Sequence, residues 1–238
     1  MKLINRTVEP VLHDLAGKYP VVTITGPRQS GKTTLCRQVF DRKPYANLES
    51  PDVLQFAVDD PRGFLAQFPD GAVLDEIQRA PELASYLQPM VDSDQREGRF
   101  ILTGSQQFEV SNTINQSLAG RSALVRLLPF SIGEIQSGFT LPDIDGLLYH
   151  GFYPRVWDKQ LHPTQALGDY FETYIERDLR QIVTIKDLNL FQRFMKLCAG
   201  RVGGLLNVSS LANDAGVSHT TARAWLSVLE ASYIIFLL

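Results

Sequence analysis

The segment that most limits how this chain can fold is a short glycine-containing run that follows five β-branched residues. Residues 21–25 read VVTIT, which is the composition of a buried strand, and residues 26–33 read GPRQSGKT. The second run matches the pattern G-x-x-x-x-G-K-S/T at every fixed position. A strand that passes through such a turn into a helix is typical of α/β proteins with a parallel sheet.

The same run predicts a loop that binds phosphate groups. Its two glycines let successive backbone amides point inward, and the following helix adds unpaired N–H groups and the positive end of its dipole. We expect Lys32 to reach the β- and γ-phosphates of a nucleotide and the Thr33 hydroxyl to hold Mg²⁺. The strand before the run and the helix after it disfavour the alternative of an incidental glycine turn. The predicted nucleotide-binding residues are Gly26, Pro27, Arg28, Gln29, Ser30, Gly31, Lys32, Thr33 and Thr34.

Two adjacent carboxylates, Asp75 and Glu76, follow another apolar segment at residues 72–74. At the carboxyl end of a strand, Asp75 is expected to bind Mg²⁺ directly or through water, and Glu76 to act as a general base on an attacking water. The alternative is a strand that runs into an acidic turn with no catalytic role. The phosphate-binding run upstream favours the catalytic interpretation.

Three further polar residues are candidates for catalysis. Thr103 and Ser105 stand at the end of the apolar segment 99–103, where ligands of parallel sheets bind, although both residue types are also common in ordinary turns. Arg121 precedes the segment 123–128. Its guanidinium is suited either to stabilising a transferred phosphoryl group in a neighbouring subunit or to complementing a helix dipole, and the sequence leaves both open.

The apolar segments and the stretches between them predict the architecture of the first 130 residues. Short apolar segments alternate with stretches of helical length, which indicates an α/β fold with a parallel five-stranded sheet and helices on both faces. The strands are expected at 21–25, 44–49, 72–74, 99–103 and 123–128, and the helices at 31–40, 52–68 and 81–92.

The remainder of the chain differs in composition, with a stretch rich in glycine, proline and aromatic residues followed by apolar residues at helical spacing. We predict a core at 1–135, a linker and helical region at 136–190, with little regular structure over 137–164 and helical spacing over 165–197, and a winged-helix-like unit at 191–238. In that unit a turn at Gly216 leads to a helix capped by Ser218, followed by a strand-like run at 233–238. Because a free apolar strand is a liability, we expect the chain to be a fragment of a longer protein. The second helix would present His219, Thr220 and Arg223 to DNA or to a docked protein.

Composition excludes several classes of protein. The chain has 238 residues, 44 % of them hydrophobic, and a net charge of −3, so it is neither disordered nor rich enough in basic residues to indicate nucleic-acid binding by charge alone. Cys36 and Cys198 form no disulfide or metal pattern, and the histidines are not spaced as ligands, so Mg²⁺ is the only metal expected. The sequence has neither a secretory signal nor an apolar run of about 20 residues, which predicts a cytoplasmic protein without membrane contact.

Taken together, the runs GPRQSGKTT, VLDEIQ, RFILTGSQ and SLAGR resemble the P-loop NTPases of the AAA type from bacteria and archaea. More narrowly, they resemble the branch whose ATPase core is usually joined to a C-terminal domain of unknown function. The likeness covers essentially the whole chain. It implies ATP binding by residues 26–34, Mg²⁺ coordination by Thr33 and Asp75, catalysis by Glu76, sensing over residues 103–106, and an arginine-finger-like role for Arg121, which would require a homo-oligomer.

The resemblance implies a Mg²⁺-dependent ATPase in which hydrolysis of ATP to ADP and phosphate moves the C-terminal helical and winged-helix part. The alternative is a nucleotide-switched regulator that binds DNA or protein and turns over little ATP. The pair Asp75-Glu76 favours turnover, whereas the helix-turn-helix pattern keeps the regulator open.

Overall fold

The structure is a computed structural model that describes residues 3–94, 96–105, 117–175 and 187–237. It divides into two compact units, Met1–Ala166 and Leu167–Leu238. The three-part division of the chain at residues 135 and 190 stays a prediction.

A five-stranded sheet with the order β2-β3-β4-β1-β5 lies at the centre of the first unit. Its neighbouring strands all pair in parallel. Every residue of the three inner strands is buried, as expected for a sheet covered on both faces, whereas burial along the edge strand β5 alternates. The predicted fold class is therefore confirmed. The strands are β1 (Val21–Thr25), β2 (Tyr45–Asn47), β3 (Val73–Asp75), β4 (Phe100–Gly104) and β5 (Ser122–Arg126).

Two apolar clusters cover the two faces of this sheet. Leu74 and Leu102 pack on one face against the helices that follow β2 and β3, and Val73 and Ile101 pack on the other against helices that flank β1. Successive strand residues thus point to opposite faces. The helices of this region are α1 (Glu9–Ala16), α2 (Lys32–Val39), α3 (Pro51–Asp59), α4 (Pro61–Ala66) and α5 (Leu83–Ser93), and a 3₁₀ turn spans Ile77–Arg79.

The prediction of a single helix over 52–68 is wrong, because this stretch contains two helices, α3 and α4. The backbone breaks at Asp60, whose side chain accepts a hydrogen bond from the Gly63 amide at 2.9 Å and so caps α4. Pro61 then takes the first position of α4, where its missing N–H costs no hydrogen bond.

The expectation of little regular structure over 137–164 is also wrong. Ser131 and Glu134 form a capping box that starts one helix, and Asp143 caps the next. Phe139, Phe152 and Tyr153 pack into a small core around Ile135 and Trp157 instead of lying in a loop. The helices are α6 (Ile132–Gly138), α7 (Ile144–His150), α8 (Pro154–Lys159) and α9 (Pro163–Tyr170).

The second unit contains three α-helices among its described residues after a π-helical turn at Phe171–Ile175. Phe191 and Phe194 are fully buried and lie edge-on to Trp225, with ring centroids 5.1 and 5.3 Å apart. The helical spacing expected over 165–197 is found on both sides of residues 176–186, which lie outside the described residues. The helices are α10 (Leu188–Ala199), α11 (Val208–Ala215) and α12 (His219–Ala231).

The helix-turn-helix at α11 and α12 is confirmed. Gly216 ends α11 with φ +77°, a conformation that glycine adopts without strain, and the Ser218 hydroxyl accepts from the Thr221 amide to cap α12.

The strand expected at 233–238 is absent from residues 233–237, and residue 238 lies outside the described residues. The chain leaves α12 through a Schellman-type turn, in which the Ile234 amide donates to the Leu229 carbonyl at 2.9 Å and Tyr233 has φ +60°. The wing of the predicted winged helix is therefore not confirmed. No helix among the described residues has both the length and the apolar character to cross a bilayer.

We expect Leu102→Ala to lower the free energy of unfolding by about 2–5 kcal/mol, because Leu102 is fully buried in a central strand and truncation leaves a cavity. Leu124→Ala is the matched control, since Leu124 lies on β5 with 53 % of its surface exposed and should cost about 0.5 kcal/mol or less. Urea unfolding of the two variants measures the difference. Equal losses would contradict the burial of this core.

Candidate nucleotide-binding site

The phosphate-loop run connects the carboxyl end of β1 to the start of α2, and its two glycines have separate structural reasons. Gly26 has φ +149°, and a Cβ added there would lie 2.0 Å from the carbonyl oxygen of Leu127. Gly31 has φ +96° and is the N-cap of α2. Side chains are thus excluded at Gly26 by contact, and disfavoured at Gly31 by backbone conformation.

Lys32 lies against the loop to which it belongs. Its side chain is 5 % exposed, and Nζ donates to the carbonyl oxygens of Gly26 at 3.0 Å and Pro27 at 2.9 Å. Burial lowers the pKa of Lys32, an effect that the carboxylates of Glu76 and Asp75 oppose. The ammonium group is therefore held beside the loop in a partly desolvated setting that favours a bound anion.

The Asp75 carboxylate collects hydroxyl donors from three other elements. Thr33 Oγ1, from α2 and 42 residues distant in sequence, donates to Asp75 Oδ2 at 2.7 Å. Tyr45 from β2 and Thr103 from β4 also donate to it. Asp75 is only 3 % exposed, so its carboxylate has lost its hydrogen bonds to water. The three hydroxyl donors replace those bonds and offset the cost of burying the charge. The structure thus brings both predicted Mg²⁺ ligands, Thr33 and Asp75, into contact.

Glu76 adopts a left-handed backbone conformation, φ +59° and ψ +49°, that non-glycine residues rarely occupy. Its amide donates to Thr103 Oγ1 at 3.1 Å, and its carboxylate accepts from Ser105 Oγ at 3.1 Å and from Gln78. Thr103 and Ser105 therefore lie with Asp75 and Glu76 at one edge of the sheet. Gln106 lies outside the described residues.

The other loop residues differ in their contacts. Ser30 is fully buried, and its hydroxyl has no hydrogen-bond partner among the described residues. Arg28 Nη1 lies 3.5 Å from Glu49 Oε1, and Thr34 is half-buried in the first turn of α2. A buried hydroxyl that lacks a partner, one residue before the N-cap of α2, fits a phosphate ligand.

Arg121 is placed apart from this group. It precedes β5, whose first residue Ser122 lies opposite Val21 at the amino end of β1, whereas the other site residues lie at the carboxyl ends. Its guanidinium forms an ion pair with Asp92, and this hydrogen bonding lowers the pKa of Asp92. A role for Arg121 in the site of a neighbouring subunit stays a prediction.

Sequence reasoning missed three residues that contact the site: Tyr45, Gln78 and Arg6. Tyr45 lies in the strand next to Asp75, but only the strand order reveals this, and the Arg37 guanidinium packs over its ring at 4.1 Å. Burial and the hydrogen bond to Asp75 raise the pKa of Tyr45, which keeps its hydroxyl a donor. Arg6 contacts the loop backbone without belonging to any motif.

In the second unit, the residues predicted to face DNA or a protein lie together on the exposed side of α12. His219, Thr220 and Arg223 line an open depression of about 430 Å³ with Ala224 and Ser227. The sequence interpretation of this helix face is thus correct in its exposure, while its ligand stays a prediction.

Comparison with known proteins gives two family matches and several relatives. The AAA domain family matches residues 18–136, and a domain of unknown function, DUF8612, matches residues 141–238. Uncharacterised proteins of Mycobacterium bovis and Mycobacterium tuberculosis are each 30 % identical over 221 residues, which is 92 % of this chain and 49 % of each relative. The chain therefore spans about half the length of these relatives.

Among solved structures, the Walker-type ATPase of Pyrococcus abyssi has a similar fold. It superposes with a TM-score of 0.63 at 13 % identity, over 97 % of this chain and 90 % of that one. The family match, the loop between β1 and α2 and this shared fold agree: the chain belongs to the AAA domain family of P-loop ATPases, a nucleotide-binding family, and continues into DUF8612.

Proposed function

We propose that this protein is a Mg²⁺-dependent ATPase that binds ATP at residues 26–34 and hydrolyses it to ADP and phosphate. The observation that carries the proposal is the 2.7 Å hydrogen bond between Thr33 and Asp75 at a carboxyl edge that also holds Lys32. A hydroxyl and a carboxylate in contact provide the oxygen ligands that Mg²⁺ takes in nucleotide sites. The preference for adenine rests on family membership.

Residues of the loop would bind the triphosphate by exchanging their present hydrogen bonds within the protein for hydrogen bonds to phosphate oxygens. Lys32 now donates to two loop carbonyls, and phosphate oxygens would take their place as stronger acceptors. The Ser30 hydroxyl and the loop amides would add donors. Thr33 and Asp75 would hold Mg²⁺, which when bound neutralises charge on the β- and γ-phosphate oxygens.

Glu76 is the proposed general base. Its backbone is fixed through Thr103, and its carboxylate is oriented by Ser105 and Gln78, so the group is held in one direction at the sheet edge. A carboxylate in this position would orient a water and accept its proton during attack on the γ-phosphate. Thr103 and Ser105 would then relay changes at the phosphate to Glu76.

The substitution Lys32→Ala should weaken ATP binding by about a hundredfold or more, because it removes the cation that contacts the β- and γ-phosphates. Titration calorimetry with Mg²⁺ and ATP measures this effect. Lys43→Ala is the matched control: Lys43 Nζ also donates to a backbone carbonyl, that of Arg99 at 3.3 Å, but before β2 at the amino end of the sheet. Unchanged affinity in Lys32→Ala would refute the site.

Glu76→Gln should bind ATP as the wild type does but hydrolyse it about 10²–10⁴-fold more slowly, because the amide cannot accept the proton of the attacking water. Steady-state phosphate release together with the Kd for ATP separates the two effects. Glu82→Gln is the control, since Glu82 is an exposed carboxylate ahead of α5. Turnover equal to that of the wild type would remove Glu76 from the mechanism.

The second candidate is a nucleotide-switched regulator that binds DNA through α12, and the exposed polar face of that helix supports it. Helices that follow such a turn insert their first residues into the major groove, and Arg223 would contact DNA there. In either function, nucleotide state would be coupled to movement of the C-terminal part, and a docked protein is the other partner to consider. Cytoplasmic location and a homo-oligomer also stay predictions.

If DNA is the partner, Arg223→Ala should weaken duplex binding and reduce the slope of log affinity against log salt by about one. Arg193→Ala is the control, because Arg193 is an exposed arginine on α10 of the same unit. ATP turnover by the full-length protein with and without duplex DNA completes the test. Stimulation by DNA would support this candidate, and equal turnover with equal binding by both variants would favour a protein partner.

A further inference from the structure

Arg6 is a buried arginine that belongs to none of the sequence motifs, and it contacts the backbone of the phosphate loop. Arg6 is 7 % exposed, and its Nη1 donates to the carbonyl oxygen of Ser30 at 2.8 Å. Its Nη2 donates to the carbonyl oxygens of Leu128 at 2.7 Å and Pro129 at 3.2 Å, in the segment that follows β5. One guanidinium group thus joins the loop to a part of the chain that is distant in sequence.

The position of this guanidinium is itself fixed. Arg6 Nε lies 3.1 Å from Glu134 Oε1, and the ring of Phe130 lies 5.0 Å from Arg6 Cζ. Burial would raise the pKa of Glu134, but the amides of Ser131 and Thr7 and the Arg6 guanidinium hold it below its usual value. Arg6 is therefore held by a carboxylate that stays ionised, so its donors have a defined direction.

The contact with Ser30 determines the direction of an adjacent amide. None of the described peptide bonds is cis, and in a trans peptide the C=O and the next N–H point in opposite directions. Because the Ser30 carbonyl points to Arg6, the Gly31 N–H points away from Arg6, to the other side of the loop. A Cβ at Gly31 would lie 3.4 Å from Arg6 Nη1, so the arginine packs directly against this peptide.

We propose that Arg6 is a positioning residue for nucleotide binding, which keeps the Ser30–Gly31 peptide oriented so that the Gly31 amide donates to a phosphate. The proposal rests on the proposed function, because it requires a nucleotide in the loop. Backbone amides of such loops cradle the phosphates, and a peptide free to rotate would present a carbonyl oxygen to the anion instead. Arg6 itself would act through the loop backbone and would not contact the nucleotide directly, since its guanidinium donates to the Ser30, Leu128 and Pro129 carbonyls.

A purely structural arginine at the other end of the sheet offers a matched control. Arg99 is 8 % exposed, and its guanidinium donates to the carbonyl oxygens of Met90 at 2.7 Å and Pro69 at 3.1 Å. Arg99 precedes β4 and so lies at the amino end of the sheet. Arg6→Gln and Arg99→Gln therefore remove the same kind of buried contact, but only Arg6→Gln removes it from the loop.

The experiment measures the Kd for ATP and for ADP, the KM and kcat for ATP, and urea unfolding for wild type, Arg6→Gln, Arg6→Lys and Arg99→Gln. We expect both glutamine variants to lose stability, but only Arg6→Gln to weaken ATP and ADP binding, by about tenfold or more. Its KM should rise while kcat stays close to that of the wild type, because Glu76 keeps its contacts. Arg6→Lys should be intermediate, since an ammonium lacks the forked donors of the guanidinium.

The other possible results distinguish failure of the positioning role of Arg6 from failure of the proposed function. Equal effects of Arg6→Gln and Arg99→Gln on nucleotide affinity, or none from Arg6→Gln, would refute the positioning role and leave the proposed function intact. A wild-type protein that bound no nucleotide would refute the proposed function, and this proposal with it. If Arg6→Gln does not fold, Arg6→Lys is judged on the same measurements, and wild-type affinity in that variant counts against the proposal.

Discussion

The hydrogen bonds to the Asp75 carboxylate are the interaction on which the rest of the site depends. A buried carboxylate is costly unless donors replace its water, and Asp75 receives hydroxyls from Thr33, Tyr45 and Thr103. These donors come from α2, β2 and β4, which meet only because β3 lies between β2 and β4 and because β1 delivers α2 to the same edge. The hydrogen bonds that stabilise the buried Asp75 carboxylate therefore depend on the strand order, which brings the three hydroxyls together.

The loop is constrained on its other side by the segment that follows β5. Gly26 lies so close to the Leu127 carbonyl that no side chain fits there, and Arg6 joins Ser30 to the carbonyls of Leu128 and Pro129. The two contacts fix the start of the loop and the peptide before its second glycine. A loop whose backbone is already ordered binds an anion without the entropic cost of ordering that backbone on binding.

Features that depend on neighbouring residues were predictable from the sequence, and features that depend on strand order or packing were not. The loop with Lys32 and the acid at Asp75 follow strands that local composition identifies. Tyr45 and Arg6 reach the site only through long-range contacts, so no local pattern marks them. The helices within 137–164 are short and are stabilised by packing and caps, which explains why periodicity missed them. The apolar run after Tyr233 has strand composition but closes a helix instead.

The left-handed backbone at Glu76 gives two adjacent acids different surroundings. Asp75 ends a strand and faces three hydroxyls, whereas the turn at Glu76 directs its carboxylate to Ser105 and Gln78. Thr103 joins the two, because its hydroxyl donates to Asp75 and accepts from the Glu76 amide. Any ligand that draws the Asp75 carboxylate away from Thr103 changes the bond that steadies the Glu76 backbone. Under the proposed function, Asp75 and Thr33 would hold the metal, and the Thr103 hydroxyl would couple a change at Asp75 to the left-handed backbone of Glu76.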